Sequence, residues 1–323
     1  MKNKKILIEL FKSVYRIRKT EEKISDYYKK QEMRCPVHLS IGQEAVATGV
    51  CKALNTSDKI VSTHRAHAHY LAKGGNLKSM ISEIHGKKTG CINGLGGSMY
   101  LQDIKAGVAA AVPIVGSNIP IGTGIAYKSL FHNSKKRYVT VIFFGEGATE
   151  EGVFSESINF AAIHNIPILF VCENNLYSVY TSLKDRQSNK KNLIKIVKNY
   201  GVESYSFDGN DVSKVYIKTK KLVNKIRKYN KPIFVEFKTY RWREHCGPNW
   251  DDHLGYRPKG ELKKWIKKCP LKLIEKKFSH NNYKILNKIK KNIDVEIEKA
   301  FSFARKSPFP STNLINKLYR EIS

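Results

Sequence analysis

The chain has 323 residues and 41% apolar content, enough for one large α/β domain or two small ones around a sizeable core. Gly and Pro counts of 21 and 10 are ordinary, and no stretch has the composition of a disordered segment. The net charge of +30 raises nucleic-acid binding, but residues 101–180 carry 5 Lys+Arg against 6 acids while residues 181–323 carry 35 against 14, so the excess avoids the centre.

A solvated Lys-rich surface therefore ranks first, a basic docking face for an acidic protein second, and nucleic acid third. The N-terminus is basic and then apolar, as a signal peptide is. Glu9, Lys12, Arg16 and Arg18 interrupt the run, and Leu7, Phe11, Val14 and Ile17 recur at helical spacing, which predicts an amphipathic helix. No run reaches the roughly 18 apolar residues of a membrane span. A soluble, cytoplasmic protein is expected. The six cysteines (35, 51, 91, 172, 246 and 269) contain no CxxC pair, against a zinc site or a disulfide framework.

Further along, glycines cluster in GCINGLGGSMY and VGSNIPIGTGIAY, predicting loops and helix starts. RYVTVIFFG, IPILFVCEN and KPIFVEFKTYR are continuous apolar runs, as in parallel strands buried on both faces. SESINFAAIHN and a Lys-rich stretch between them have helical spacing. Strands alternating with helices predict βαβ units and a mostly parallel sheet flanked by helices. This α/β domain is placed at residues 1–257, with a Lys-rich helical C-terminal extension at 258–323 packed on the same domain.

The chemistry sits in GEGATEEG, residues 145–152. Glu146 ends a strand, where open parallel sheets bind ligands, and its flanking glycines let a ligand approach the backbone. A helix start favours an anion, which a carboxylate repels; a cation between them removes the conflict. Mg²⁺ suits this, since it takes oxygen ligands and is held by one or two carboxylates plus phosphates. The next strand ends in ENNLYS, bringing Asn174 and Asn175 to the same edge. A lone Gly-acid-Gly is usually a turn, and ENN a loop opening. Together, with the 26 residues of one helix and one strand between Gly147 and Asn174, they mark a single crevice.

Gly-(Asp/Glu)-Gly followed at this distance by Asn-Asn resembles the signature of thiamine diphosphate enzymes. HLSIGQEA, STHRAHAHYLAKG, GLGGSMY, IVGSNIPIGTGIAY, GEGATEEGVFSESINFAAIHNIPILFVCENNLYSVYT and VEFKTYRWREH extend the likeness over roughly residues 5–310. They resemble the alpha subunit of the decarboxylating component of 2-oxo acid dehydrogenases, which includes pyruvate, branched-chain and acetoin dehydrogenases. The resemblance implies a three-layer thiamine diphosphate-binding fold. It implies that Glu146, Asn175 and the carbonyl of Tyr177 ligate Mg²⁺. It implies that Gly147, Ala148, Arg65 and His64 meet the diphosphate, and that Val115, with Pro113, lies at the aminopyrimidine. Arg241 joins the implied cofactor contacts. His38, His245 and His64 are implied to be catalytic. The other seven histidines, His67 and His69 among them, are read as surface or satisfied core residues.

The same resemblance implies oxidation of a 2-oxo acid or acetoin, with the acyl group passed to lipoamide on an acyltransferase. One diphosphate-binding domain is present, and the family draws the cofactor-activating glutamate from a beta subunit. A heterotetramer of two alpha and two beta chains, inactive as the lone alpha chain, is thus expected. Pro113 stands where pyruvate-type members have Gly. Cys246 stands where animal members carry a regulatory serine, so kinase control there is not expected. The loop CGPNWDDHLGYR leaves the donor open. Alternatives are the amino-terminal subunit of a split transketolase and, last, a basic nucleic-acid-binding protein.

Overall fold

The computed structural model describes residues 4–33, 35–132 and 137–314. The first three residues of the expected N-terminal helix and residues 315–323 of the expected extension lie outside them. Among the described residues, eight strands occur in chain order: β1 (Lys59–Ser62), β2 (Val108–Ala111), β3 (Thr140–Gly145), β4 (Ile168–Asn174), β5 (Tyr177–Ser178), β6 (Thr181–Ser182), β7 (Glu203–Asp208) and β8 (Ile233–Lys238). Six form one sheet in the order β2-β1-β3-β4-β8-β7, every pairing parallel. β5 and β6 form a small antiparallel hairpin.

The three strands expected from apolar runs are β3, β4 and β8, and they are the sheet's centre. Their side chains alternate between two cores, as a pleat of period two requires. Val141, Phe143, Leu169, Val171, Val235 and Phe237 face one core. There the helices Lys4–Tyr28, Glu44–Ala53 and Val212–Tyr229 pack, contributing Phe11, Val46 and Val215. Ile142, Phe144, Phe170 and Phe234 face the other, against Ile119 of the helix Asn118–Lys128 and Phe154 and Ile158 of the helix Gly152–Ile163. Gly49 lets two helices touch: a Cβ there would sit 2.6 Å from Val215 Cγ1 and 2.9 Å from the Tyr216 nitrogen.

Phe144 sits at the middle of the second core, its ring 5.8 Å from Phe154 and 6.3 Å from Phe234. Phe144→Ala is expected to cost about 3–5 kcal/mol, because three packed rings leave a cavity that cannot collapse. Urea unfolding followed by circular dichroism measures it; a loss below about 1 kcal/mol contradicts this account of the core.

After Pro258 the chain is helical, over Glu261–Ile266, Pro270–Glu275 and Tyr283–Lys306. The long last helix lies on the first one. Tyr15 Oη donates to Asp294 at 3.0 Å, Arg16 pairs with Glu296 at 2.7 Å, and the Tyr27 and Phe301 rings are 5.2 Å apart. Glu261 reaches the ligand edge of the sheet, accepting from Tyr177 Oη at 2.6 Å and Tyr240 Oη at 2.9 Å. Among the described residues, no helix is long and apolar enough to cross a membrane.

Candidate active site

Because every sheet pairing is parallel, all strand carboxyl ends emerge at one edge. From β1 the chain crosses to β2 on one side and then returns to β3 on the other, so the crevice between β1 and β3 is a topological switch point. The register levels the neighbouring ends: Gly145 lies opposite Glu173, and Asn174 opposite Lys238.

A cavity of about 110 Å³ opens there. Its lining includes His64 and Arg65 after β1, Val115 after β2, and Glu146, Gly147 and Ala148 after β3. Asn175 and Tyr177 after β4, and His245 after β8, complete the expected residues on its wall. Three expected residues stand off the wall. His38 lies behind it, its ring 4.7 Å from His64 and 5.1 Å from His245. Pro113 is half-buried in the loop between β2 and the next helix. Arg241 is buried, and its guanidinium is consumed by Asp251 at 3.2 Å, Tyr256 Oη at 3.2 Å and the carbonyls of Val179 (3.1 Å) and Arg243. It ties the loop after β8 to the β5–β6 hairpin rather than facing the cavity.

Glu146 is 2% exposed. Burial pushes its carboxyl up to about 7, while hydrogen bonds from backbone N–H groups and the Arg186 guanidinium pull the other way. The Asn175 N–H donates to Oε2 at 3.3 Å, and Arg186 Nη2 donates to Oε1 at 2.7 Å. Asn174 serves the fold: its amide donates to Glu236 at 2.8 Å and its Oδ1 accepts the Leu176 N–H at 3.0 Å. Asn175 is the one turned to the cavity. At Gly147 a Cβ would lie 2.9 Å from Ser178 Oγ and crowd it, so glycine keeps the backbone reachable.

His38, His64 and His245 form a cluster whose ligand atoms lie within 4.8 Å of one another. Burial first, then the Arg65 charge, pushes them down to about 2, 3 and 3 respectively. All three are neutral imidazoles at neutral pH. Arg65 is itself pushed down to about 9, by burial and then by Arg241. It donates to the Leu39 carbonyl at 2.7 Å and the His245 carbonyl at 3.2 Å, its Nη2 is 3.5 Å from His245 Nδ1, and it lines the cavity. A buried guanidinium beside the imidazoles opposes a divalent cation among them, whereas Glu146 and Asn175 offer hard oxygen donors. The crevice thus carries oxygen donors at Glu146 and Asn175 and a guanidinium at Arg65.

The loop bearing His38 is fixed from below. The buried Glu21 carboxylate accepts the Ser40 N–H at 2.9 Å through both oxygens, and the Gly247 N–H donates to the Val37 carbonyl at 2.8 Å. His67 and His69 are buried in the core, each with one ring nitrogen hydrogen-bonded and the other near a carboxylate but without a hydrogen bond. His67 Nε2 meets Ser98 Oγ at 2.7 Å, and His69 lies 2.7 Å from Ser62 Oγ and 3.0 Å from Glu173.

The depressed histidines set an acid limit. A group whose folded value lies below its unfolded 6.5 contributes stability above pH 6.5, and that contribution is lost as pH falls toward 3 and 2. His38→Asn is therefore expected to flatten the fall in unfolding free energy between pH 6.5 and 4; an unchanged slope contradicts burial as the cause.

Sequence reasoning missed Gln43, Glu173 and Arg186. The first two line the cavity, and Gln43 Oε1 is buried without a hydrogen-bond partner. Both lay inside quoted motifs, HLSIGQEA and CENN. Arg186 had no signal among 58 Lys and Arg residues.

A scan against family models matches the dehydrogenase E1 component family over residues 12–313. The chain is 32% identical over 318 residues to a pyruvate dehydrogenase E1 component subunit alpha of Rickettsia felis, covering 98% of this chain and 95% of that protein. It is 35% identical over 310 residues to the chloroplastic pyruvate dehydrogenase E1 component subunit alpha-3 of Arabidopsis thaliana, covering 94% and 72%. It is 33% identical over 313 residues to the alpha subunit of acetoin:2,6-dichlorophenolindophenol oxidoreductase of Bacillus subtilis, covering 96% and 92%. With the match spanning nearly the whole chain, the protein belongs to the dehydrogenase E1 component family, as an oxidoreductase chain of the alpha-subunit type.

Proposed function

We propose that the chain is the alpha subunit of a thiamine diphosphate- and Mg²⁺-dependent dehydrogenase, acting on a pyruvate-like 2-oxo acid or on acetoin and passing the acyl group to lipoamide. The family uses thiamine diphosphate. The observation that carries the reading is the pairing of a buried oxygen-donor end with a buried arginine end in one crevice at the switch point.

The residues fit the cofactor and its metal. Glu146 is a carboxylate whose charge burial opposes, so a divalent cation suits it better than solvent does. Glu146, the Asn175 side-chain oxygen and the Tyr177 carbonyl would hold Mg²⁺. The backbone at Gly147 and Ala148 and the Arg65 guanidinium would take the diphosphate, with His64 beside it. Val115 would present backbone to the aminopyrimidine. When bound, thiamine diphosphate supplies the nucleophilic carbon and the electron sink for cleavage next to an oxo group.

The protein's own part is to orient and to handle protons. Held neutral, His38, His64 and His245 each offer one N–H and one acceptor nitrogen. Their N–H groups can stabilise charge growing on a substrate oxygen without first losing a proton to water. An anion paired with Arg65 offsets the charge part of the depression and leaves the larger part, from burial, in place, so the three rings rise but stay neutral in the closed site.

A beta subunit would complete the site, in a heterotetramer of two alpha and two beta chains. A cavity of about 110 Å³ falls short of the roughly 300–1,000 Å³ of small-molecule sites. Ile114 and Val115 are 67% and 50% exposed on its rim, apolar surface that a partner would cover. A cytoplasmic location is part of the same proposal, supported by six free cysteines. Calorimetric titration tests the division of the site. The lone chain with Mg²⁺ should bind thiamine diphosphate weaker than about 100 μM, tightening at least tenfold with the beta chain. Micromolar binding with turnover by the lone chain overturns it.

A further inference from the structure

The position assigned to the metal already holds a cation of the chain's own. Arg186 ends the short helix Leu183–Arg186, which follows the β5–β6 hairpin. Its Nη2 donates to Glu146 at 2.7 Å, its Nη1 to Glu150, and its Nε points to the Thr181 carbonyl at 3.4 Å. Gln187 also donates to Glu150, at 2.5 Å. A Cβ at Gly147 would lie 3.6 Å from Arg186 Nη1, so the guanidinium covers the glycine as well as the carboxylate. The pair is largely desolvated, with the Arg186 side chain 13% and that of Glu146 3% exposed.

Resting on the reading of Glu146 as a metal ligand, we propose that Arg186 is a resident counter-cation that closes the metal position in the empty chain and is displaced when a divalent cation takes Glu146. The two cations compete for one carboxylate. Mg²⁺ binds oxygen at about 2.1 Å, which would leave it and the guanidinium a few ångströms apart in a poorly solvated crevice, where like charges repel strongly. Release does not strand the arginine, because Glu150 is more exposed (29%) and keeps its own bond to Nη1. The short helix that carries Arg186 buries none of its residues, so it can move while the hairpin before it stays tied. Metal binding is therefore linked to movement of residues 181–187, beyond the ligand Tyr177.

The test uses the full-length chain and Mn²⁺ alone, followed by electron paramagnetic resonance without any cofactor. Arg186→Gln should bind Mn²⁺ about tenfold more tightly than the unaltered chain, and Arg186→Lys, which keeps a cation over Glu146, should stay within about threefold. A second measurement needs no variant: Mn²⁺ should speed amide hydrogen exchange across residues 181–187 of the unaltered chain. Equal or weaker Mn²⁺ binding by Arg186→Gln, or unchanged exchange in that segment while Mn²⁺ is bound, overturns the proposal. Glu146→Gln separates the two ideas. If it abolishes Mn²⁺ binding, the metal reading stands and Arg186 is judged on its own; if binding persists, the metal reading has failed and the proposal falls with it.

Discussion

Glu146→Gln is expected to lower turnover of the alpha–beta enzyme by about a thousandfold, roughly 4 kcal/mol, while leaving the fold intact. The amide is nearly isosteric and can still accept the Asn175 N–H now 3.3 Å from Oε2. Burial already raises the Glu146 carboxyl to about 7, so a neutral group there costs the folded chain little. The loss falls instead on the cation the carboxylate would hold, and through it on the diphosphate. Binding of thiamine diphosphate with Mg²⁺ should weaken in parallel, and the unfolding midpoint in chelator should hardly move. Turnover within tenfold of the unaltered enzyme contradicts the metal assignment.

His38→Ala is expected to act differently. His38 is 6% exposed and stands behind His64 and His245 rather than on the cavity wall. Its removal should leave cofactor affinity nearly unchanged and lower kcat by about 10²–10⁴-fold, the range for a lost proton-transfer group. Positioning alone predicts a smaller effect with the pH profile preserved. A proton-handling role predicts that the profile of kcat changes shape, because an ionisation then disappears from the reacting complex. Loss of cofactor binding with unchanged kcat at saturation would instead make His38 a structural prop of the wall.

Much of this was legible in the residues. β3, β4 and β8 are long, apolar on both faces and bounded by turn residues, so continuous hydrophobic runs marked them. The crevice followed from one pattern, Glu146 between glycines and Asn175 one crossover later. The outer strands were not legible. β1 and β2 have four residues each, too few for any period, and VAAA suits a helix as well as a strand. β7 is an edge strand with half-exposed, polar positions, and it lay inside the stretch expected to be Lys-rich helix. Side-chain direction was equally hidden. Arg241 sits three residues past β8 in a motif that resembles a cofactor contact, yet Asp251, ten residues on, draws its guanidinium away from the cavity. Arg186 shows the opposite case: only the fold brings it across 40 residues of chain to Glu146.

The central claim is that this chain turns over a 2-oxo acid or acetoin only as half of a site. The most direct measurement co-expresses it with its beta partner and follows reduction of an artificial electron acceptor across a panel of 2-oxo acids and acetoin. The account predicts turnover with one donor of the panel, only when both chains, Mg²⁺ and thiamine diphosphate are present. Turnover by the lone chain, or turnover that persists without the cofactor, would contradict it.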